Sequence, residues 1–203
     1  MRVINHEQGT QEWLNSRLGC PSGSGFDKLI QASGKPSTQA EGYINQLIAE
    51  LMTGETTSVH VTDAMQRGTL LEPMAREFYE LASGNSVVQV GFCKADDLEC
   101  GVSPDGLIGG DEDGGLEIKC PTPATHIAYL RAGVLPTKYK QQVMGCMWIT
   151  GRQWWDFVSY HETMPALIVR VERDDDYITL LADEVSKAVD TIQLEVNRLR
   201  KMQ

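Results

Sequence analysis

Apolar residues keep helical spacing through roughly the first 82 positions, then fall into the short alternating or continuous runs of strands. Residues 11–17 predict a short amphipathic helix, and residues 25–32 a second, with Ser22 or Ser24 available to cap it. A breaker-rich stretch, 33–38, precedes a helix over 41–52, where Tyr43, Ile44, Leu47, Ile48 and Leu51 recur at spacings of three and four. Asp63 can cap a long helix to about residue 82, which Pro73 should bend or restart. The valine-rich segment 86–93 predicts a strand, followed by short strands at 99–102 and 107–108. A glycine-rich acidic turn, 109–115, leads into a strand over 116–120, which Pro121 and Pro123 end. Helices follow to Leu130 and over 138–149, then strands at 154–160 and 166–171, then a closing helix over 177–200. The pattern predicts one α/β domain over 1–203, with a central mixed twisted sheet flanked by helices.

A chain of 203 residues, 41% hydrophobic and 23% charged, has the composition of a soluble globular protein with one buried core. No apolar run approaches the ~18 residues of a membrane span, and the first residues carry no signal-peptide pattern, so a cytoplasmic location is expected. Cys20, Cys93, Cys100, Cys120 and Cys146 include no Cys-x-x-Cys pair. That argues against zinc ribbons and iron–sulfur clusters and for buried, reduced thiols. The four histidines, His6, His60, His126 and His161, show no ligand spacing, and none is assigned a catalytic role. Trp154-Trp155 resemble a stacking platform, but in an apolar strand one ring should enter the core and the other lie beneath a helix. A net charge of −10 argues against a general nucleic-acid binder. A metal site is itself acidic, however, and the cations it recruits restore attraction to phosphate.

The chemistry concentrates in Ser103-Pro104-Asp105-Gly106 and Gly115-Leu116-Glu117-Ile118-Lys119. Asp105 and Glu117 lie twelve residues apart at the ends of two paired strands, where both can grip one divalent cation. The Ile118 carbonyl, at a strand end, is positioned as a further ligand, and the absence of histidine favours Mg²⁺ or Mn²⁺ over zinc. Strand alternation gives Lys119 the same facing as Glu117, so its ammonium can orient water or stabilise developing charge. Glu-x-Lys alone fits a charged surface hairpin around a buried isoleucine. Pro-Asp-Gly upstream, across a glycine-rich turn, favours metal-assisted cleavage of a phosphodiester. This spacing resembles the PD-(D/E)xK nuclease superfamily, which has a restriction-endonuclease-like core.

Five blocks in register narrow the resemblance. They are Trp13 to Gly19 with Ser22 and Ser24; Arg67-Gly68-Thr69-Leu70-Leu71-Glu72-Pro73; Ser103 to Gly106; Leu116 to Pro121; and Tyr139 to Val143 with Met147-Trp148. Together they resemble the phage lambda exonuclease, or YqaJ-like viral recombinase, family over about residues 11–160. The resemblance implies that Glu72 completes the metal site. It further implies that Arg17, Ser24, Ser103 and Gln142 hold the terminal 5′-phosphate of the recessed strand. Two departures stand out: Gln142-Val143-Met144 lacks the second glutamine of a Gln-x-Gln common among relatives, and Cys20-Pro21-Ser22-Gly23-Ser24 replaces a common Thr-Ala-Ser.

The implied activity is 5′→3′ digestion of one strand of linear double-stranded DNA from a phosphorylated end, leaving 3′ overhangs for single-strand annealing. Mg²⁺ is the implied cofactor, two ions per site, with Mn²⁺ as a substitute. The implied assembly is a processive homotrimeric ring working with a single-strand annealing protein. Two alternatives are an endonuclease of restriction or repair type and an inactive DNA-end-binding module. Met65 is a candidate strand-separating wedge, although core packing is the commoner role of a methionine.

Overall fold

A computed structural model describes residues 1–57, 62–109 and 114–202. The elements in chain order begin with β1 (Arg2–Ile4), α1 (Gln11–Ser16), a 3-10 turn (Gly23–Lys28), α2 (Ala40–Thr53) and α3 (Asp63–Ser83). The strands β2 (Val87–Val88), β3 (Phe92–Lys94), β4 (Gly101–Val102), β5 (Gly106–Ile108) and β6 (Gly114–Lys119) follow. The chain continues through α4 (Pro123–Ala132), a 3-10 turn (Thr137–Tyr139), α5 (Lys140–Thr150), β7 (Trp154–Ser159), β8 (Leu167–Glu172) and α6 (Asp175–Arg200). A five-stranded sheet has the order β2-β5-β6-β7-β8, with β6 and β7 parallel and the other pairs antiparallel. A smaller antiparallel sheet has the order β1-β3-β4. The fold class is α/β, as the hydrophobic pattern predicts.

Because β6 and β7 are central and covered on both faces, their residues are buried almost throughout, with Lys119 partly exposed. Leu116 and Ile118 join Trp154 and Val158 in a cluster with Ala75 and Tyr79 of α3. On the opposite face Trp155 enters the main core with Val143, Met144 and Met147 of α5 and the apolar stripe of α6 (Ile178, Leu181, Val185, Val189, Ile192). The two tryptophans thus divide as expected, one into the core and one beneath α3. Gly114 and Gly115 make room for them: a Cβ at either would fall within 2.3 Å of the neighbouring indole. Asp156 ties α3 to the sheet, accepting from Tyr79 Oη at 2.7 Å and from two Arg170 nitrogens at 3.0 Å each.

Several elements depart from the sequence reading. The segment 86–93 forms two strands in different sheets, because Gly91 crosses so close to the Ile4 and His6 backbone that no side chain fits. The three-residue β1, unread in the sequence, pairs with β3. The helix expected over 25–32 is instead the 3-10 turn Gly23–Lys28. Thr62, not Asp63, caps α3, its hydroxyl accepting from Met65 N. Helix α3 also runs on through Pro73, which stands exposed, where solvent can reach the Thr69 carbonyl that proline cannot serve. His60 and the acidic triplet of the turn lie outside the described residues. Among those described, no helix is long and apolar enough to cross a membrane.

Gly115→Ala should drive a methyl against the buried Trp155 ring and destabilise the fold by about 1–3 kcal/mol. Urea unfolding followed by tryptophan fluorescence would show a lower midpoint with an unchanged slope.

Candidate active site

The site forms where the β5–β6 ladder stops. The last paired residues are Gly106 and Leu116, so continued register would set Pro104 opposite Ile118. Proline has no N–H to give the Ile118 carbonyl. The Ile118 N–H goes instead to Asp105 Oδ2 at 2.6 Å. A strand residue sends its N–H and C=O to the same side, so the Ile118 carbonyl also points past the end of β5, beside Asp105. The next residue faces the other way, its carbonyl accepting from Tyr160 N at 2.9 Å. The strand end thus leaves that carbonyl free of a ladder partner on the Asp105 side.

Glu117 projects to the α5 side of β6 and is fully buried. Its Oε1 accepts from Gln142 Nε2 at 2.6 Å and forms an ion pair with Lys119, while its Oε2 is buried with no partner among the described residues. Glu72, one turn before Arg76 on α3, pairs with it at 2.5 Å. Burial first, and the neighbouring Asp105 charge second, raise Glu117 to about 8 and push Glu72 upward. Burial raises Asp105 as well, against the pull of Lys119. For Lys119 burial works downward but is outweighed by Glu117 and Asp105, so it stays charged. Crowded carboxylates with an orphaned buried oxygen and a free carbonyl suit a cation. The donors are all oxygen, the hard set that Mg²⁺ or Mn²⁺ takes. Among the described residues no three His, Cys, Asp or Glu side chains are already gathered round one point. Two carboxylates and a carbonyl, completed by water, are therefore the set on offer.

The four residues assigned to an anion pocket do come together. Arg17, Ser24, Ser103 and Gln142 line one cavity of about 230 Å³, and Asp105 lines it too. Arg17 ends α1, with its guanidinium over the Trp13 ring at 4.1 Å. Its Nη2 donates to Ser22 Oγ at 2.9 Å and to Ser24 Oγ at 3.5 Å. Trp13 Nε1 donates to Ser103 Oγ at 3.1 Å. Gln142 belongs to both groups, lining this cavity while bonded to Glu117.

The sequence reading missed three contributors. Ser22, read as a helix cap and as part of the first family-like block but not as a pocket residue, is nearer to Arg17 than Ser24 is. Trp13 fixes both Arg17 and Ser103, and Gln8 Nε2 holds the Pro104 carbonyl at 2.9 Å. The Trp13–Arg17 stacking has the helical i, i+4 spacing, but the bonds to Ser103 and Pro104 span ninety residues or more and follow no local period. Met65 is not packed in the core: it is 48% exposed and lines a cleft of about 540 Å³ with Glu72, Asp105, Lys119 and Tyr139. His126 is buried and satisfied by Ser159 Oγ at 2.7 Å and the Pro165 carbonyl at 2.9 Å, which leaves it no free nitrogen for catalysis.

Comparison with known proteins finds the same fold among exonucleases. Crystal structures of an alkaline exonuclease from Laribacter hongkongensis match at 36% identity, covering 95% of this chain and 97% of theirs. The TM-scores are 0.86 and, for the complex with dAMP, 0.85. A phage-related exonuclease from Haemophilus somnus shares the fold at a TM-score of 0.69, 16% identical over 91% of this chain and 96% of that one. No curated protein matches the chain. The model of the YqaJ-like viral recombinase domain matches residues 12–153, and the chain belongs to that family.

Proposed function

We propose that this protein is a metal-dependent 5′→3′ exonuclease, digesting one strand of duplex DNA from a 5′-phosphorylated end. The observation that carries the proposal is the shared cavity: Arg17, Ser24, Ser103 and Gln142 enclose a space that reaches Asp105. An anion pocket opening onto paired carboxylates suits an enzyme that measures its cut from a terminal phosphate. The similarity to an alkaline exonuclease at 36% identity supports the same reading.

Asp105, Glu117 and the Ile118 carbonyl would hold Mg²⁺, or Mn²⁺ in its place, and Glu72 would complete a two-ion site through water. The ion supplies Lewis-acid stabilisation of phosphate charge and a more acidic water. Arg17 donates to the terminal phosphate, with serine hydroxyls and the Gln142 amide around it. Lys119, fixed by Glu117 and the Tyr139 ring, presents an ammonium to charge developing on the scissile phosphate. Water adds to phosphorus and the P–O3′ bond breaks. A 5′-mononucleotide leaves, and the shortened strand bears a new 5′-phosphate that Arg17 can draw in. The 3′ overhang so formed would serve recombination by a single-strand annealing protein.

A homotrimeric ring would make digestion processive by enclosing the product. Leu70, Met74 and Leu81 form an exposed apolar stripe along α3, with Leu81 89% exposed, and burial against another copy would remove it from water.

A duplex with a 5′-phosphate should be digested faster than one with a 5′-hydroxyl, and a covalently closed circle should survive. Arg17→Ala should lose most of the preference for phosphate, and cutting of the circle would instead support an endonuclease. Glu117→Gln and Asp105→Asn should abolish cleavage. Mg²⁺ at about 100 times its dissociation constant should stabilise the wild type by about 2.7 kcal/mol and Glu117→Gln far less, read by thermal melting without DNA. Light scattering should give three times the chain mass, and Leu81→Lys should lower it.

A further inference from the structure

Duplex DNA carries about one negative charge per 1.7 Å of axis, so a chain of net charge −10 must meet it with cations not already neutralised. Among the described residues, Arg17, Lys28, Lys119, Lys138, Lys140 and Arg170 lie over aromatic rings. Lys119, Lys140 and Arg170 each also face a carboxylate: Glu117, Asp174 and Asp156. Arg17, Lys28 and Lys138 form no ion pair among the described residues. All three line cavities of the site.

Lys28 stands over Tyr43 at 4.9 Å and shares with Arg17, Ser22 and Ser24 a cavity of about 180 Å³. Lys138 stands over Tyr139 at 4.8 Å and Tyr129 at 5.7 Å, and lines the cleft that holds Glu72, Asp105 and Lys119. Tyr139 is itself stacked on the buried Phe157, with ring centroids 5.3 Å apart, so this perch is rigid. An aromatic face holds an ammonium in position without neutralising it, whereas a carboxylate cancels its charge. A cation over a surface ring is a common packing contact. Its coincidence here with the lack of an ion pair among the described residues and with the site cavities points to a ligand; Glu50 also lines the Lys28 cavity, but its oxygens accept from Gly19, Gln46 and Thr57.

We propose that Lys28 and Lys138 are DNA-backbone contacts, Lys28 beyond Arg17 on the side of the anion pocket and Lys138 beyond the carboxylates in the cleft. The assignment rests on the exonuclease reading and adds two residues that bind phosphate charge without reading sequence.

The test is binding of a 5′-phosphorylated duplex in EDTA across a KCl series, followed by fluorescence anisotropy. Lys28→Gln and Lys138→Gln should each weaken binding equally on unrelated sequences and reduce the log–log salt slope by about 1. Lys28→Arg and Lys138→Arg should keep the slope. Lys187→Gln, which removes a fully exposed α6 lysine paired with Glu184, should leave it unchanged. An unchanged slope in either glutamine variant overturns the assignment for that lysine, and an equal fall in Lys187→Gln overturns it for both. Cleavage of the same duplex by wild type in Mg²⁺ is read separately. Reduced slopes without cleavage would remove the exonuclease reading and keep the contacts, whereas cleavage with unchanged slopes would remove the contacts alone.

Discussion

The hydrogen bond from Ile118 N–H to Asp105 organises this molecule's chemistry. It takes up the Ile118 N–H that the Pro104 carbonyl would accept in a continued ladder, and because Pro104 has no N–H to return to the Ile118 carbonyl, the β5–β6 ladder stops. In one step it aims a carboxylate and a main-chain carbonyl at the same open side. Glu117 and Lys119 then need no special placement, because strand alternation sends both to the α5 side from the residues either side of Ile118. The Pro-Asp sequence thereby turns a strand end into a set of oxygen donors.

Holding that set together opposes folding stability. Glu117 is wholly buried, and its neighbours Asp105 and Glu72 add like charge. The sheet around it answers with tight packing. Gly114 and Gly115 seat the two indole rings on opposite faces, and the buried Asp156 is fully engaged by Tyr79 and Arg170. The result is a rigid frame around an electrostatically strained centre, which a bound cation would relieve.

Much of this frame was legible in the sequence where the signal is periodic. The stripe of α6, the spacing of α2 and the alternation of β6 each follow from one repeated environment, so their facing could be read directly. Features that depend on distant partners were not. The three residues of β1 are too few to carry a pattern and exist as a strand because β3, some ninety residues later, lies beside them. The split of 86–93 depends on how closely Gly91 passes another backbone, which a valine-rich run conceals. At the site, Asp105, Glu117 and Lys119 were readable as chemistry. The part of Trp13 was not, because its hydrogen bond to Ser103 spans ninety residues and only its stacking with Arg17 has local spacing. Met65 was misjudged because apolar character alone does not tell a core side chain from one lining a cleft.

Gln142 has a consequence of its own. One side-chain amide serves two charged neighbourhoods: its nitrogen donates to Glu117 while it lines the cavity around Arg17. A phosphate that draws this amide toward itself loosens its hold on Glu117, and a cation that reorients Glu117 releases the amide toward the phosphate. If the pocket holds a terminal phosphate and the carboxylates a cation, as proposed, the two affinities form a single linked equilibrium, each altering the other by the same factor. Under that proposal, arrival of a DNA end would reach the carboxylates through this one side chain before any bond is broken.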